Sequence, residues 1–136
     1  MSTDGYKALL VDLDGTLIGR DERISDRVSV AVRRAAERVH VSIATGREPA
    51  DVIRFARQLG LTSPQISDNG ALILDPQTGR TLWSEPLGQA SASRVVAKIQ
   101  TEGYALIATH PGGTVTRAAE IGGLALTRVS ALDLQE

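Results

Sequence analysis

The chain has no cysteine, which excludes disulfides, thiolate metal sites and thiol nucleophiles and fits a reducing cytoplasm. Aromatic residues are scarce, with one Phe, one Trp and two Tyr among 136 residues. Lysine is scarcer than arginine, and Lys7 and Lys98 are its only examples. No apolar run approaches the ~18 residues of a membrane span, and no signal-peptide pattern is present, so neither spanning nor secretion is indicated. The formal net charge of −1 gives no electrostatic case for nucleic acid or an anionic membrane surface. What remains is a single domain's length of chain, enough to bury a real core, with a cytoplasmic location as the natural expectation.

The most informative segment is Lys7-Ala-Leu-Leu-Val-Asp12-Leu-Asp14-Gly-Thr16-Leu17. The run from Ala8 to Val11 does not alternate, which suits a parallel strand buried on both faces. Asp12 and Asp14 then stand at the carboxyl end of that strand, where open α/β sheets place their ligands. One carboxylate can attack phosphorus while the other handles the leaving-group proton, and both suit a divalent cation. An acidic turn that simply ends a strand explains Asp12 and Asp14 equally well if that segment is taken alone.

Two further segments meet the same requirement. His40-Val-Ser-Ile-Ala-Thr45-Gly46-Arg47 is a second apolar run ending in a hydroxyl, a glycine and a cation. Thr45 can hydrogen-bond a phosphoryl oxygen, Gly46 lets a backbone N–H approach it, and Arg47 can clamp a second anionic group of a substrate. A helix starting near Pro49 would aim its N-terminus at the same anion. Ile66-Ser-Asp68-Asn69-Gly70-Ala71 is a third strand with a polar end, although Asn-Gly is a common turn dipeptide whatever the function. Three such ends in register along an alternating β/α chain outweigh each taken singly.

The order is strand, helix, strand, helix, strand, with helices expected at about 25–39 and 49–59. Ser25 is a suitable N-cap and Gly60 a natural C′ residue. Arg27, Arg34 and Arg38 read as a solvated helix face. After Gly70 the signals change to a hairpin, 71–74 with 81–83, then a helix at 89–102, a strand at 104–109, and short strands near Val115 and over 125–129. Trp83 and Tyr104 could contact substrate but read first as core residues, and His110 could be a loop base but, like His40, reads first as structural.

Asp12-Leu-Asp14-Gly15-Thr16 resembles motif I of the haloacid dehalogenase (HAD) superfamily, and Thr45 resembles its motif II. Ala44-Thr45-Gly46-Arg47 and Ser67-Asp68-Asn69-Gly70-Ala71 resemble the Cof-type, class IIB branch of small phosphate-ester phosphatases. The resemblance implies a HAD-like parallel sheet, here its front βαβαβ half over 1–70, followed by the beginning of an α/β cap over 71–136. It implies Asp12 as the nucleophile that forms an aspartyl-phosphate and Asp14 as the general acid/base. Mg²⁺ would lie between the Asp12 carboxylate and the Asp14 carbonyl. The Leu13 and Asp14 N–H groups, the Thr45 hydroxyl and the Gly46 N–H would hold phosphoryl oxygens, with Arg47 and Asn69 nearer the substrate, a small phosphorylated metabolite such as a sugar phosphate.

Full members carry a later lysine and an acidic pair. Lys7 precedes the first strand, Lys98 falls in a cap helix, and Glu120, Asp133 and Glu136 lie in no Gly-Asp-x-x-Asp setting. Losing one preorganised charge-stabilising group costs ~10² to 10³ in rate. The expected function is therefore a Mg²⁺-dependent phosphohydrolase impaired in this short chain. The alternatives are a non-catalytic fragment that binds phosphate or a partner, and a phospho-acceptor receiver module, which the Asp12-x-Asp14-Gly-Thr16 pattern disfavours. The first strand would become an edge, and self-association or docking of a complementary fragment is expected there.

Overall fold

The computed structural model describes residues 5–133, which form two compact units, one reaching to Trp83 and the other starting at Ser84. Glu136 lies outside the described residues. The first unit contains β1 (Ala8–Val11), α1 (Asp26–Ala36), β2 (His40–Ile43), α2 (Pro49–Leu59), β3 (Gln65–Ser67), β4 (Leu72–Leu74) and all but the last residue of β5 (Thr81–Ser84). β1 and β2 are parallel, with Ala8 opposite His40 and Val11 opposite Ile43. β2 meets β3 in parallel through a single bridge, Ala44 with Ile66, and β4 then runs antiparallel to β3.

The helices form where their ends and faces dictate. The Ser25 hydroxyl accepts the Val28 N–H at 3.3 Å and starts α1. Pro49 opens α2, where a missing N–H costs nothing, and Gly60 closes it in the left-handed region at φ 70°. Val52, Phe55, Ala56 and Leu59 fall on one side of α2 and are fully buried. Phe55, Ala56 and Leu59 share a core with Leu13, Leu17, Ile18, Val41 and Ile43. The turn that carries the acidic pair is thus anchored by its own apolar residues.

The gap between β2 and β3 is filled by a side chain. Gln65 Oε1 accepts the Ile43 N–H at 2.7 Å, and its Nε2 donates to the Val41 carbonyl at 3.2 Å and the Ser63 carbonyl at 2.6 Å. Gln65 is completely buried. Its amide stands in for a strand's peptide group where the backbones do not pair.

β1 departs from the expectation of burial on both faces. Among the described residues it pairs only with β2, and Leu9 and Leu10 are 43% and 59% exposed. A non-alternating apolar run signals capacity for burial on two sides. Whether both are covered depends on neighbours outside the run.

The second unit contains α3 (Gln89–Thr101), β6 (Ala105–His110), β7 (Gly113–Val115) and β8 (Arg128–Leu132). Its sheet is antiparallel in the order β7-β6-β8. Ala92 of α3 packs with Ala108 and Leu126, while Val96 and Ile99 pack with Leu106. Trp83 and Tyr104 are each nearly half exposed, so neither is the core residue its strand position suggests. No helix among the described residues is long and apolar enough to cross a membrane.

Candidate active site

The three polar strand ends converge. Asp12, Ala44, Thr45, Gly46, Ile66, Asn69 and Gly70 line one open cavity of about 350 Å³ at the carboxyl ends of β1, β2 and β3. Asp12 is exposed there, while Thr45 is buried. The turn after Asp12 is held by its own backbone. The Leu13 carbonyl accepts the N–H groups of Leu17 and Ile18, each at 3.0 Å, and Gly15 N–H donates to the Ile18 carbonyl at 2.9 Å. Gly15 adopts φ 75°, which a side chain would resist. The Leu13 and Asp14 N–H groups and the Asp14 carbonyl take no part in these bonds.

The loops after β2 and β3 are clipped together. Asn69 N–H donates to the Thr45 carbonyl at 3.1 Å, and Asp68 N–H to the Arg47 carbonyl at 3.0 Å. The Thr45 hydroxyl accepts the Arg47 N–H at 3.3 Å. Asp68 and Asn69 both adopt left-handed backbone, with φ 48° and 56°, which carboxamide and carboxylate side chains tolerate better than most. A Cβ at residue 46 would lie 2.6 Å from Asn69 Oδ1, so a side chain there would push Asn69 out of its present place. The Asn-Gly pair is therefore more than a turn signal. It seats Asn69 against the phosphate-loop candidate.

Arg47 does not point freely at a substrate. Its Nε donates to both Asp14 oxygens at 3.1 Å, and its Nη2 to Asp14 Oδ1 and Glu22 Oε1 at 2.7 Å each. Its Nη1 reaches Asp51 Oδ2 at 3.3 Å. One cation thus serves three carboxylates, and the forked contact with Asp14 is the geometry guanidinium and carboxylate favour. Glu22 is placed for this contact by a left-handed backbone at φ 54°. The Arg47 hydrogen bonds hold the Asp14 carboxyl below the usual aspartate range. The Asp14 and Glu22 carboxylates in turn raise the Arg47 pKa.

The sign of the resulting pH dependence follows directly. A depressed folded-state pKa contributes stability above the unfolded value, and the contribution is lost as pH falls through the folded one. Replacing Arg47 by Met is therefore expected to move the Asp14 carboxyl up toward the ordinary range of about 4. Carbon-detected NMR titration of that carboxyl checks this. The stability difference from wild type should shrink as the pH is lowered into the acid range, and because the Asp14 side chain is half exposed it stays near or below about 1 kcal/mol.

Asp51 comes from the first turn of α2, and Glu22 is brought across by a loop, so sequence spacing signals neither contact. His40 Nδ1 lies 3.2 Å from Ser63 Oγ, and His110 Nδ1 accepts the Gly112 N–H at 3.1 Å. Both histidines are occupied by these local partners. Among the described residues no group of three or more His, Asp or Glu side chains is assembled to hold a metal. Magnesium asks for less, since it keeps several waters and accepts one or two carboxylates together with substrate phosphate. The exposed Asp12 carboxylate and the Asp14 carbonyl left out of its turn are hard oxygen donors of that kind.

The fold is an α/β half-sheet with polar groups gathered at its strand ends, and comparison with known proteins supplies the family. Residues 9–122 match the haloacid dehalogenase-like hydrolase family, and the chain belongs to it. It is 36% identical over 91 residues to the Bacillus subtilis 5-amino-6-(5-phospho-D-ribitylamino)uracil phosphatase YitU, covering 64% of this chain and 33% of that protein. A solved haloacid dehalogenase-like hydrolase from B. subtilis superposes with a TM-score of 0.72 and 30% identity, over 85% of this chain and 41% of that one. The subclass IIB sugar phosphatase BT4131 shares the fold, with a TM-score of 0.66 at 24% identity, over 79% of this chain and 42% of that one. The chain spans about a third of the length of the curated relatives it matches.

Proposed function

We propose that this chain is a Mg²⁺-dependent phosphohydrolase of a small, sugar-phosphate-like ester, working through an aspartyl-phosphate and slowed because part of its charge stabilisation is missing. The observation that carries the reading is the shared cavity of Asp12, Thr45, Gly46 and Asn69 at three parallel strand ends. Curated relatives named as phosphatases, one of them acting on a phosphorylated ribityl compound, support the reaction and the substrate class.

An Asp12 oxygen forms the new bond to phosphorus as the ester P–O bond breaks, and Asp14 delivers a proton to the departing alkoxide. A water deprotonated by Asp14 then cleaves the acyl-phosphate, releasing phosphate and restoring Asp12. The Leu13 and Asp14 N–H groups, the Thr45 hydroxyl and the Gly46 N–H bind the phosphoryl oxygens, and Asn69 borders the substrate. Asp12 and the Asp14 carbonyl would hold Mg²⁺, whose positive charge would offset that of those oxygens. Arg47 must release Asp14 before that carboxyl can carry a proton. An anionic group on the substrate, competing for the guanidinium, provides the release and makes Arg47 a substrate contact.

A second reading, phosphate binding without turnover, is favoured by the lysines. Lys7 precedes β1 and Lys98 lies in α3, so neither follows a strand end of the cavity. Hydrolysis of p-nitrophenyl phosphate by the purified chain, with Mg²⁺ and with EDTA, separates the two. Turnover that EDTA removes is the expected result. A folded preparation that binds inorganic phosphate and releases none from the ester overturns the first reading in favour of the second.

A further inference from the structure

We propose that the Glu22 carboxylate occupies the place on Arg47 that a second anionic group of the substrate takes, so that the site selects phosphate esters carrying such a group, a carboxylate or another phosphate. The inference rests on the phosphatase reading for its substrate and deepens it by assigning the charge of the esterified alcohol. Asp14, two residues from Asp12, is bound to the guanidinium, and Gly46 of the cavity immediately precedes Arg47 in the chain. Arg47 therefore borders the place where the ester would sit. Its side chain is only 20% exposed, and a carboxylate already engages each of its three nitrogens. An incoming anion reaches this cation by taking a carboxylate's place.

The three carboxylates are not held equally. Asp14 meets Arg47 through Nε with both oxygens and through Nη2 with one, from a turn tied down by its own backbone. Asp51 stands in the first turn of α2, and Arg54 Nη2 holds its other oxygen at 2.7 Å. Glu22 meets Arg47 through one oxygen on a loop, and its side chain is the most exposed of the three at 62%. Its backbone is also left-handed, a conformation that glutamate adopts far less readily than glycine or asparagine. Glu22 is the carboxylate that leaves most easily.

Charge favours exchange over addition. Three carboxylates around one guanidinium leave an excess of negative charge, so a fourth anion is repelled unless one departs. An anion that replaces Glu22 keeps the count at three and inherits a charge-assisted bond to Nη2. That nitrogen also serves Asp14, so the newcomer competes there with the group that must move a proton. An ester without a second anionic group leaves Glu22 in place and gains nothing from Arg47. The discrimination comes from a competitor built into the chain.

Isothermal calorimetry with two phosphonates tests the proposal: carboxyethylphosphonate, and propylphosphonate, in which a methyl group stands for the carboxylate. Neither is hydrolysed, so the readout is binding, and a chain that binds both yet turns over no ester defeats the phosphatase reading alone. Glu22→Gln should bind carboxyethylphosphonate about 10-fold more tightly than wild type, while propylphosphonate changes by less than about 3-fold. Glu22→Gly, which also relaxes the left-handed backbone, should do the same and serves if Glu22→Gln fails to fold. Arg47→Met should erase the preference for the carboxylate ligand. Equal gains for the two ligands, a preference that survives Arg47→Met, or binding of neither ligand overturns the proposal. A Glu22→Gln protein that is less stable in urea with its ligand preference unchanged, as a purely structural ion pair would give, overturns it too.

Discussion

Asp12→Asn is expected to remove the phosphate-ester hydrolysis of the chain, by roughly 10⁴-fold or more, as loss of a covalent nucleophile does elsewhere. The carboxamide keeps the shape of the carboxylate but neither attacks phosphorus at a useful rate nor offers a full charge to Mg²⁺. The fold should be indifferent. Asp12 is exposed at the end of β1, so its unfolding free energy should stay within about 0.5 kcal/mol of wild type. Paired phosphate-release and urea-unfolding measurements on the same preparation check both halves. Retained turnover would move the nucleophile elsewhere, and a loss of stability would make the activity result uninformative about chemistry.

Gln65→Leu should have the opposite profile, a large loss of stability from a residue outside the cavity. Leucine fills similar volume but leaves the buried Ile43 N–H and the Val41 carbonyl without partners. Each buried group stranded in this way costs about 1–3 kcal/mol, which puts the total for the two near 2–6 kcal/mol. Urea denaturation with an unchanged m-value would show the loss. Gln65→Glu is a sharper version, because its carboxylate still accepts from Ile43 but cannot donate to Val41 or Ser63, and it brings a charge into a fully buried place. A Leu variant as stable as wild type would mean that β2 and β3 close up to pair directly.

Much of this was legible in the sequence. The second helix was expected at 49–59 and is found at Pro49–Leu59, because proline and glycine punctuate both ends. The third was expected at 89–102 and is found at Gln89–Thr101. The first was expected to run to about Val39 and ends at Ala36, its last turn tightening as the Arg38 and Val39 N–H groups both bond the Ala35 carbonyl. Motif and strand spacing brought Asp12, Thr45, Gly46 and Asn69 to one cavity. What was not legible depends on side chains meeting across the fold. Arg47 is one such case, since nothing local says that its charge is committed to Asp14 and Glu22. Gln65 is another, reading as an ordinary polar residue at a strand's start. Trp83 and Tyr104 erred in the other direction, because aromatic character in a strand says nothing about which face is covered.

The clip between the loops after β2 and β3 bears on how this chain can change over evolutionary time. Strand-end loops are ordinarily where insertions and deletions are absorbed. Here one added or removed residue in either loop would shift the Asn69 N–H from Thr45, the Asp68 N–H from Arg47, and the Asn69 side chain from the hollow at Gly46. The two loops should therefore keep their lengths together or change them together. Length variation in this unit should collect instead in the connection from Asp75 to Arg80, whose turn is closed by its own Asp75 side chain.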